Sequence, residues 1–117
     1  MAMSNNKGNQ AANSAPWLST ELAANIESDA ALRELLAPVH RWLNTLSVRN
    51  HSPHTLTAYF AGLNQLALFL RGKRLTWTRC DKRQLAQHIS QRLDEDKLAL
   101  ASVQQELSAI RHFYGWM

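Results

Sequence analysis

The stretch SPHTLTAYFAGLNQLALFLR, residues 52–71, decides the fold of this chain. Ser52 can cap a helix, Pro53 suits the first helical position, and apolar residues then recur at helical spacing. That spacing places them within an arc of about 120°, the width of a stripe that faces a protein core. The stripe consists of Leu56, Tyr59, Phe60, Leu63, Leu66, Ala67 and Leu70. The segment is therefore predicted to be a helix that packs on a core along one side.

The opposite side of this helix is not patterned like a solvated surface. Its residues are small or neutral polar, in place of the usual mixture of charged residues: His54, Thr57, Ala58, Ala61 and Gln65. Because small side chains let a backbone come close to a large object, we expect this face to dock against a partner. A basic cluster follows at the end of the helix: Arg71, Lys73 and Arg74.

The length and composition are those of one globular domain. The 117 residues are 45% apolar and 19% charged, and the low counts of 4 Gly and 3 Pro favour long helices. No apolar run reaches the ~18 residues that a membrane span needs, so no membrane partner is expected. The single cysteine, Cys80, cannot form an internal disulfide, and a cytoplasmic protein is therefore expected.

Charge is distributed unevenly along the chain. Residues 1–37 carry a net charge of −2, whereas residues 38–117 hold 11 basic and five acidic side chains, a net charge of +6. Nine of the 13 basic residues are Arg, the side chain suited to phosphate groups and base edges. This balance favours a nucleic-acid partner, although unrelated basic proteins share it.

The remaining segments also have helical patterns. A helix capped by Ser28 carries an apolar stripe that ends at Leu46, and Pro38 should kink or restart it. Asp81 and Gln84 form a capping-box pattern before a third helix. The stripe of that third helix is Leu85, Ile89 and Leu93, and the last helix, from about residue 100, turns inward Val103, Leu107, Ile110, Tyr114 and Met117.

The ends of the elements complete the prediction. Gly72 is expected to terminate the second helix, and Ser19 to cap a short helical turn over 19–26. Residues 1–16 show no periodicity and are expected to be a disordered tail. The sequence thus predicts an all-α, four-helix domain over residues 28–117, preceded by a disordered or partly helical extension over residues 1–27.

No catalytic or metal site is indicated by the residues. His51 and His54 are three apart, but the first precedes the helix cap and no acidic residue is near in sequence. Cys80 lies in an apolar-flanked connection and is interpreted as a buried filler, and Tyr59 and Tyr114 fall on core stripes. No cofactor and no metal are predicted.

The second predicted helix (residues 52–71) and the fourth (from about residue 100) share a pattern that favours binding. Each has an apolar stripe on one side and small or neutral polar residues on the other, with polar groups in its first turn. Backbone N–H groups of a first turn attract phosphate, and these side chain types form hydrogen bonds with phosphates and base edges. The candidate DNA-binding residues are His54, Thr55, Thr57, Ser102 and Gln105, with Arg49, Arg71, Lys73, Arg74 and Arg111 to neutralise backbone charge. The alternative is that both faces are simply solvated.

Three blocks of the sequence resemble a known family. They are LSVRNHSPHTLTAYFAGLNQL with its S-P-x-T-L-x-x-Y pattern, W-T-R-C-D at residues 77–81, and LALASVQQELSAIRHFYGWM with S-V-x-x-x-L-S-A-I-R-x-F-Y. In this order and spacing they resemble the N-terminal core-binding domain of tyrosine recombinases, over about residues 38–117. Within that family the chain is most similar to the Xer recombinases, and the W-x-x-C-D segment to XerC.

The resemblance implies a fold and a function. The fold is a SAM-like domain of two crossed helical hairpins, which places the second and fourth helices in the DNA major groove. The implied whole protein cuts and rejoins DNA with a XerD-like partner to resolve chromosome dimers at cell division, by a type IB topoisomerase-like mechanism without metal or cofactor. The catalytic residues of the family belong to a second domain, so this segment is not expected to be an enzyme by itself.

The sequence departs from the family pattern at two places, and two alternative functions stay open. The family often has an acidic residue where this chain has Gly62, and Ser-Pro where it has Ala99 and Leu100, so the cap of the last helix is expected to differ. A phage or integron integrase is the first alternative function. A helical protein-interaction module is the alternative from another class.

Overall fold

The computed structural model describes residues 15–49 and 51–117, and every regular element among them is helical. The elements are α1 (Thr20–Glu27), α2 (Ala30–Val48), α3 (Pro53–Lys73), a short 3-10 helix (Trp77–Arg79), α4 (Lys82–Asp94) and α5 (Leu100–Trp116). The prediction of an all-α domain is confirmed. The disordered tail predicted over residues 1–16 falls, except for residues 15 and 16, outside the described residues.

Side-chain caps fix where most of these helices begin. The hydroxyl of Ser52 accepts the backbone N–H of Thr55 at 3.1 Å, as predicted for α3. Asp81 and Gln84 form the predicted capping box of α4. The prediction that Ser28 caps α2 is wrong, since the cap is Asp29, whose carboxylate accepts the N–H of Leu32. Ser28 cannot serve there because it still has the right-handed helical conformation that ends α1.

The ends of two helices differ from the prediction. Helix α3 continues past Gly72 to Lys73, and Arg74 takes the left-handed conformation, with φ of 57°. The N–H of Leu75 then reaches back to the carbonyl of Leu70 at 2.9 Å, which closes the helix by a Schellman-type turn. Helix α2 runs without interruption through Pro38, so this proline does not restart it.

The core surrounds α3, which packs on α2 along one side and on α5 along another. The predicted stripe of α3 is buried except for Tyr59, which is half-buried. On α5 the prediction that Met117 faces inward is wrong: Met117 is exposed, while Phe113 is buried against the rings of Trp42 and Trp77.

Helix α4 is the most weakly buried of the main helices. The three residues of its predicted stripe, Leu85, Ile89 and Leu93, are only half-buried, and its one buried residue is His88. The ring of His88 packs on Phe69 of α3, with centroids 5.2 Å apart. Over the described ranges no helix is both long and apolar enough to cross a membrane.

Candidate nucleic-acid interface

Helices α3 and α5 cross at Gly62. A Cβ atom built on Gly62 would lie 3.1 Å from the Cα atom of Glu106, so the two backbones are almost in contact at this point. No larger residue fits here without moving α5. Gly62 is therefore the small residue of α3 that lets the backbone of α5 approach closely within the domain.

The small face predicted on α3 stays open beside this crossing. His54 and Ala61 are exposed, and Ala58 and Gln65 are half-buried. Their spacing of three or four residues places them along one strip of the helix. We call this strip, together with the exposed residues Gln105 and His112 of α5, the α3–α5 face.

Helix α5 contacts α3 a second time, through a pair of aromatic rings. The centroids of Tyr59 on α3 and His112 on α5 are 6.1 Å apart. His112 and Gln105 are both exposed and, seven positions apart, share one side of α5. Ser102 is half-buried, so of the two predicted first-turn residues it is Gln105 that is the more accessible.

In the first turn of α3, only some of the predicted groups are free to contact a ligand. The hydroxyl groups of Ser52 and Thr55 are 2.9 Å apart and bond each other, which uses the Thr55 hydroxyl within the cap. The hydroxyl of Thr57 donates to the carbonyl of Pro16 at 3.5 Å. Within the described residues His54 makes no hydrogen bond of this kind, and because it is also exposed it is the most available side chain of the turn.

The basic cluster at the end of α3 lies apart from the α3–α5 face. Arg71 forms an ion pair with Asp29, whose pKa is lowered by the hydrogen bond from the Leu32 N–H and by this arginine. At 100° per residue Arg71 lies about 100° around the helix from His54. The ammonium of Lys73 lies 5.7 Å above the ring of Phe69.

The other basic candidates are exposed at separate places. Arg74 ends α3 and, with Arg71, lines an open groove of about 450 Å³ whose floor includes Trp77. Arg49 ends α2, and Arg111 lies one position before His112 and hence about 100° around α5 from it. His54 and Gln105 are thus exposed on two helices that cross at Gly62, whereas the five basic residues lie at separate places.

Sequence reasoning missed the segment that borders the first turn of α3. Residues 15–19, which we call the N-terminal strap, are held by Trp17, whose side chain is 4% exposed. Its indole N–H donates to Nδ1 of His40 at 2.9 Å, and the His40 ring stacks in turn on Phe60. Burial lowers the pKa of His40, which keeps the ring neutral and able to accept this bond. In the sequence, the only sign that this segment packs on the domain is the isolated Trp17.

The thiol and the phenol considered as nucleophiles have structural surroundings. Cys80 is half-buried, and burial raises the pKa of its thiol. The Tyr114 hydroxyl donates to the carbonyl of Trp77 at 2.6 Å, and burial raises its pKa as well. No three metal-binding side chains come together in the described part of the chain.

A likeness to known proteins is found at the level of the protein family. The family model described as "Phage integrase, N-terminal SAM-like domain" matches residues 39–117, more than half of the chain. No curated protein matches, and no solved structure matches. The match covers α3 and α5 completely and hence both helices of the α3–α5 face. The chain accordingly belongs to the phage integrase N-terminal SAM-like family, the core-binding domains of tyrosine recombinases.

Proposed function

We propose that this chain is the DNA-binding domain of a site-specific tyrosine recombinase and that its α3–α5 face docks in the major groove of duplex DNA. The observation that carries the proposal is the face itself. Two helices of a family member present an open, small and neutral polar surface at their crossing, with His54 and Gln105 accessible. A helix fits the major groove, and a Gln amide can bond to adenine in two places at once.

Charge supports the same partner. Residues 38–117 carry a net charge of +6, and Arg49, Arg74 and Arg111 are exposed and form no ion pair among the described residues. These side chains lie off the α3–α5 face, and we propose that they contact phosphates while the face reads bases in the groove.

A narrower proposal concerns the whole protein. By its W-T-R-C-D segment we propose a XerC-like recombinase that works in the cytoplasm with a XerD-like partner to resolve chromosome dimers, the cutting being done by a second domain. Integrases of phages and integrons use the same kind of domain. Binding to a duplex that contains a chromosomal dimer-resolution site, tighter than to a phage attachment site and strengthened by a XerD-like protein, would support the narrower proposal. A preference for the attachment site would refute it.

The DNA face is tested by NMR titration of the chain with duplex DNA. Amide signals of residues 52–65 and 101–112 should shift, and those of α4 should not. Gln105→Ala should weaken binding to preferred sequences by about 1–3 kcal/mol. The matched control is Gln87→Ala, the same change at an exposed position of α4, which should leave binding unchanged. Shifts confined to α4, or an effect of the control alone, would refute the assignment.

The salt dependence of the binding affinity distinguishes a DNA-binding domain from the alternative, a protein-interaction module. Each phosphate contact releases counterions, so about four contacts give a slope of roughly −3.6 in log affinity against log salt. Binding to DNA that did not weaken as salt rises would favour the alternative.

A further inference from the structure

The first turn of α5 has no side-chain cap, unlike the first turns of α2, α3 and α4. Its cap position is Ala99, and no side chain accepts a hydrogen bond from the first-turn N–H groups. Leu100, the first residue of the helix, is exposed. Since Gln105 lies just beyond this turn, something else must hold the start of α5 in place for that side chain to have a defined position.

A partly buried ion pair ties this part of α5 to α4. The guanidinium of Arg92 donates through Nε to Oε1 of Glu106 at 3.0 Å and through Nη2 to Oε2 at 2.6 Å. Each of the two side chains is only 12% exposed. The third nitrogen, Nη1, donates to Asp96 at 2.9 Å. A two-pronged contact of this kind fixes both the distance and the rotation of the carboxylate, which a single-pronged contact does not.

The same glutamate lies at the closest approach of α3. The Cα, Cγ and Cβ atoms of Glu106 lie 3.1, 3.2 and 3.3 Å from the position of a Cβ on Gly62. Three helices therefore meet at one residue: α5 supplies Glu106, α4 holds its carboxylate through Arg92, and α3 packs on its stem at Gly62. Gln105 is the residue immediately before Glu106.

From these contacts we infer that Arg92 and Glu106 are positioning residues for DNA recognition. Their ion pair fixes the rotation and height of α5 on α3 and so sets the separation between Gln105 and His54. The inference rests on the proposed function, because it assigns the pair a role in how the α3–α5 face reads sequence. Neither side chain contacts DNA in this account.

The test uses Arg92→Lys, which keeps the charge and loses the two-pronged geometry. A preferred duplex is first selected by the wild-type chain from a pool of randomised sequence, and affinities for that duplex and for a scrambled one are measured. Arg92→Lys should lower the ratio of the two affinities about tenfold, with little change for the scrambled duplex. Arg83→Lys, the same change at an exposed position of α4, should not alter the ratio.

The outcomes separate positioning from a purely structural role. Circular dichroism and the NMR spectrum establish that each variant is folded. If Arg92→Lys fails to fold, Glu106→Gln, which has nearly the same size and removes the carboxylate, takes its place in the same comparison. An unchanged ratio, or an equal loss on both duplexes, overturns the inference. A wild-type chain that selects no sequence refutes instead the proposed function of the α3–α5 face.

Discussion

Gly62→Ala tests the close crossing of α3 and α5, on which the α3–α5 face depends. The new methyl group would lie 3.1 Å from the Cα of Glu106, whereas carbon atoms pack best at about 3.5–4.0 Å. The neighbouring atom is backbone, so α5 must retreat by a few tenths of an ångström. We therefore expect both a loss of stability and a displaced Gln105.

The magnitude follows from two opposing effects. Replacing Gly by Ala inside a helix stabilises it by about 1 kcal/mol. Overpacking a close contact destabilises by about 1–3 kcal/mol. The net expectation is a free energy of unfolding that falls by about 0–2 kcal/mol, the difference of those two ranges.

The matched control is Gly72→Ala in the same helix. A Cβ at Gly72 meets nothing within 4 Å, so only the gain in helix propensity remains, and this variant should be more stable than the wild type. In urea denaturation the two variants should differ by about 1–3 kcal/mol. Equal stabilisation by both substitutions would refute the close crossing.

Three further predictions concern the strap, the ion pair of α2 and the buried histidine. Trp17→Phe keeps an aromatic ring but removes the N–H that donates to His40 and part of the buried ring, and should reduce the free energy of unfolding in urea by at least about 1–2 kcal/mol; no change would mean that the strap is not held by Trp17. Asp29→Asn keeps a good helix cap and releases Arg71, so affinity for a scrambled duplex should rise more than with Asp94→Asn, the same charge change at a residue that forms no ion pair in the described part of the chain; an equal rise would mean that only the net charge matters. Burial lowers the pKa of His88 below its ordinary 6.5, so the unfolded chain binds more protons between the two pKa values, and stability should be full above about pH 6.5 and fall as the pH is lowered. His88→Gln should flatten this pH dependence in urea denaturation, and a slope as steep as in the wild type would contradict the assignment.

The fold was predictable wherever residues a few positions apart determine it. Ser52 and Asp81 cap their helices as predicted, and the stripe of α3 is buried, because caps and helical faces depend on neighbours within four residues. The cap of α2 was missed by one residue, since Ser28 and Asp29 are both good caps and only the end of α1 distinguishes them. Helical periodicity also identified the open strip of α3.

The candidate site was predictable as a face and not as a set of contacts. That His54 and Ala61 are exposed on one side of α3 follows from the sequence alone, through periodicity. That Arg71 is paired with Asp29, 42 positions away, could not be read from the pattern.

The sequence by itself determined an all-α chain with a helix, α3, that is apolar on one side and small and polar on the other. Only the tertiary structure decided that Gly62 lies against Glu106, that Arg92 holds that carboxylate, and that Trp17 returns to His40. The physical reason is the separation in sequence between the residues that interact. A helical face is set by side chains that repeat every three or four residues, whereas these contacts join residues 14 to 44 positions apart, whose meeting depends on how whole helices pack.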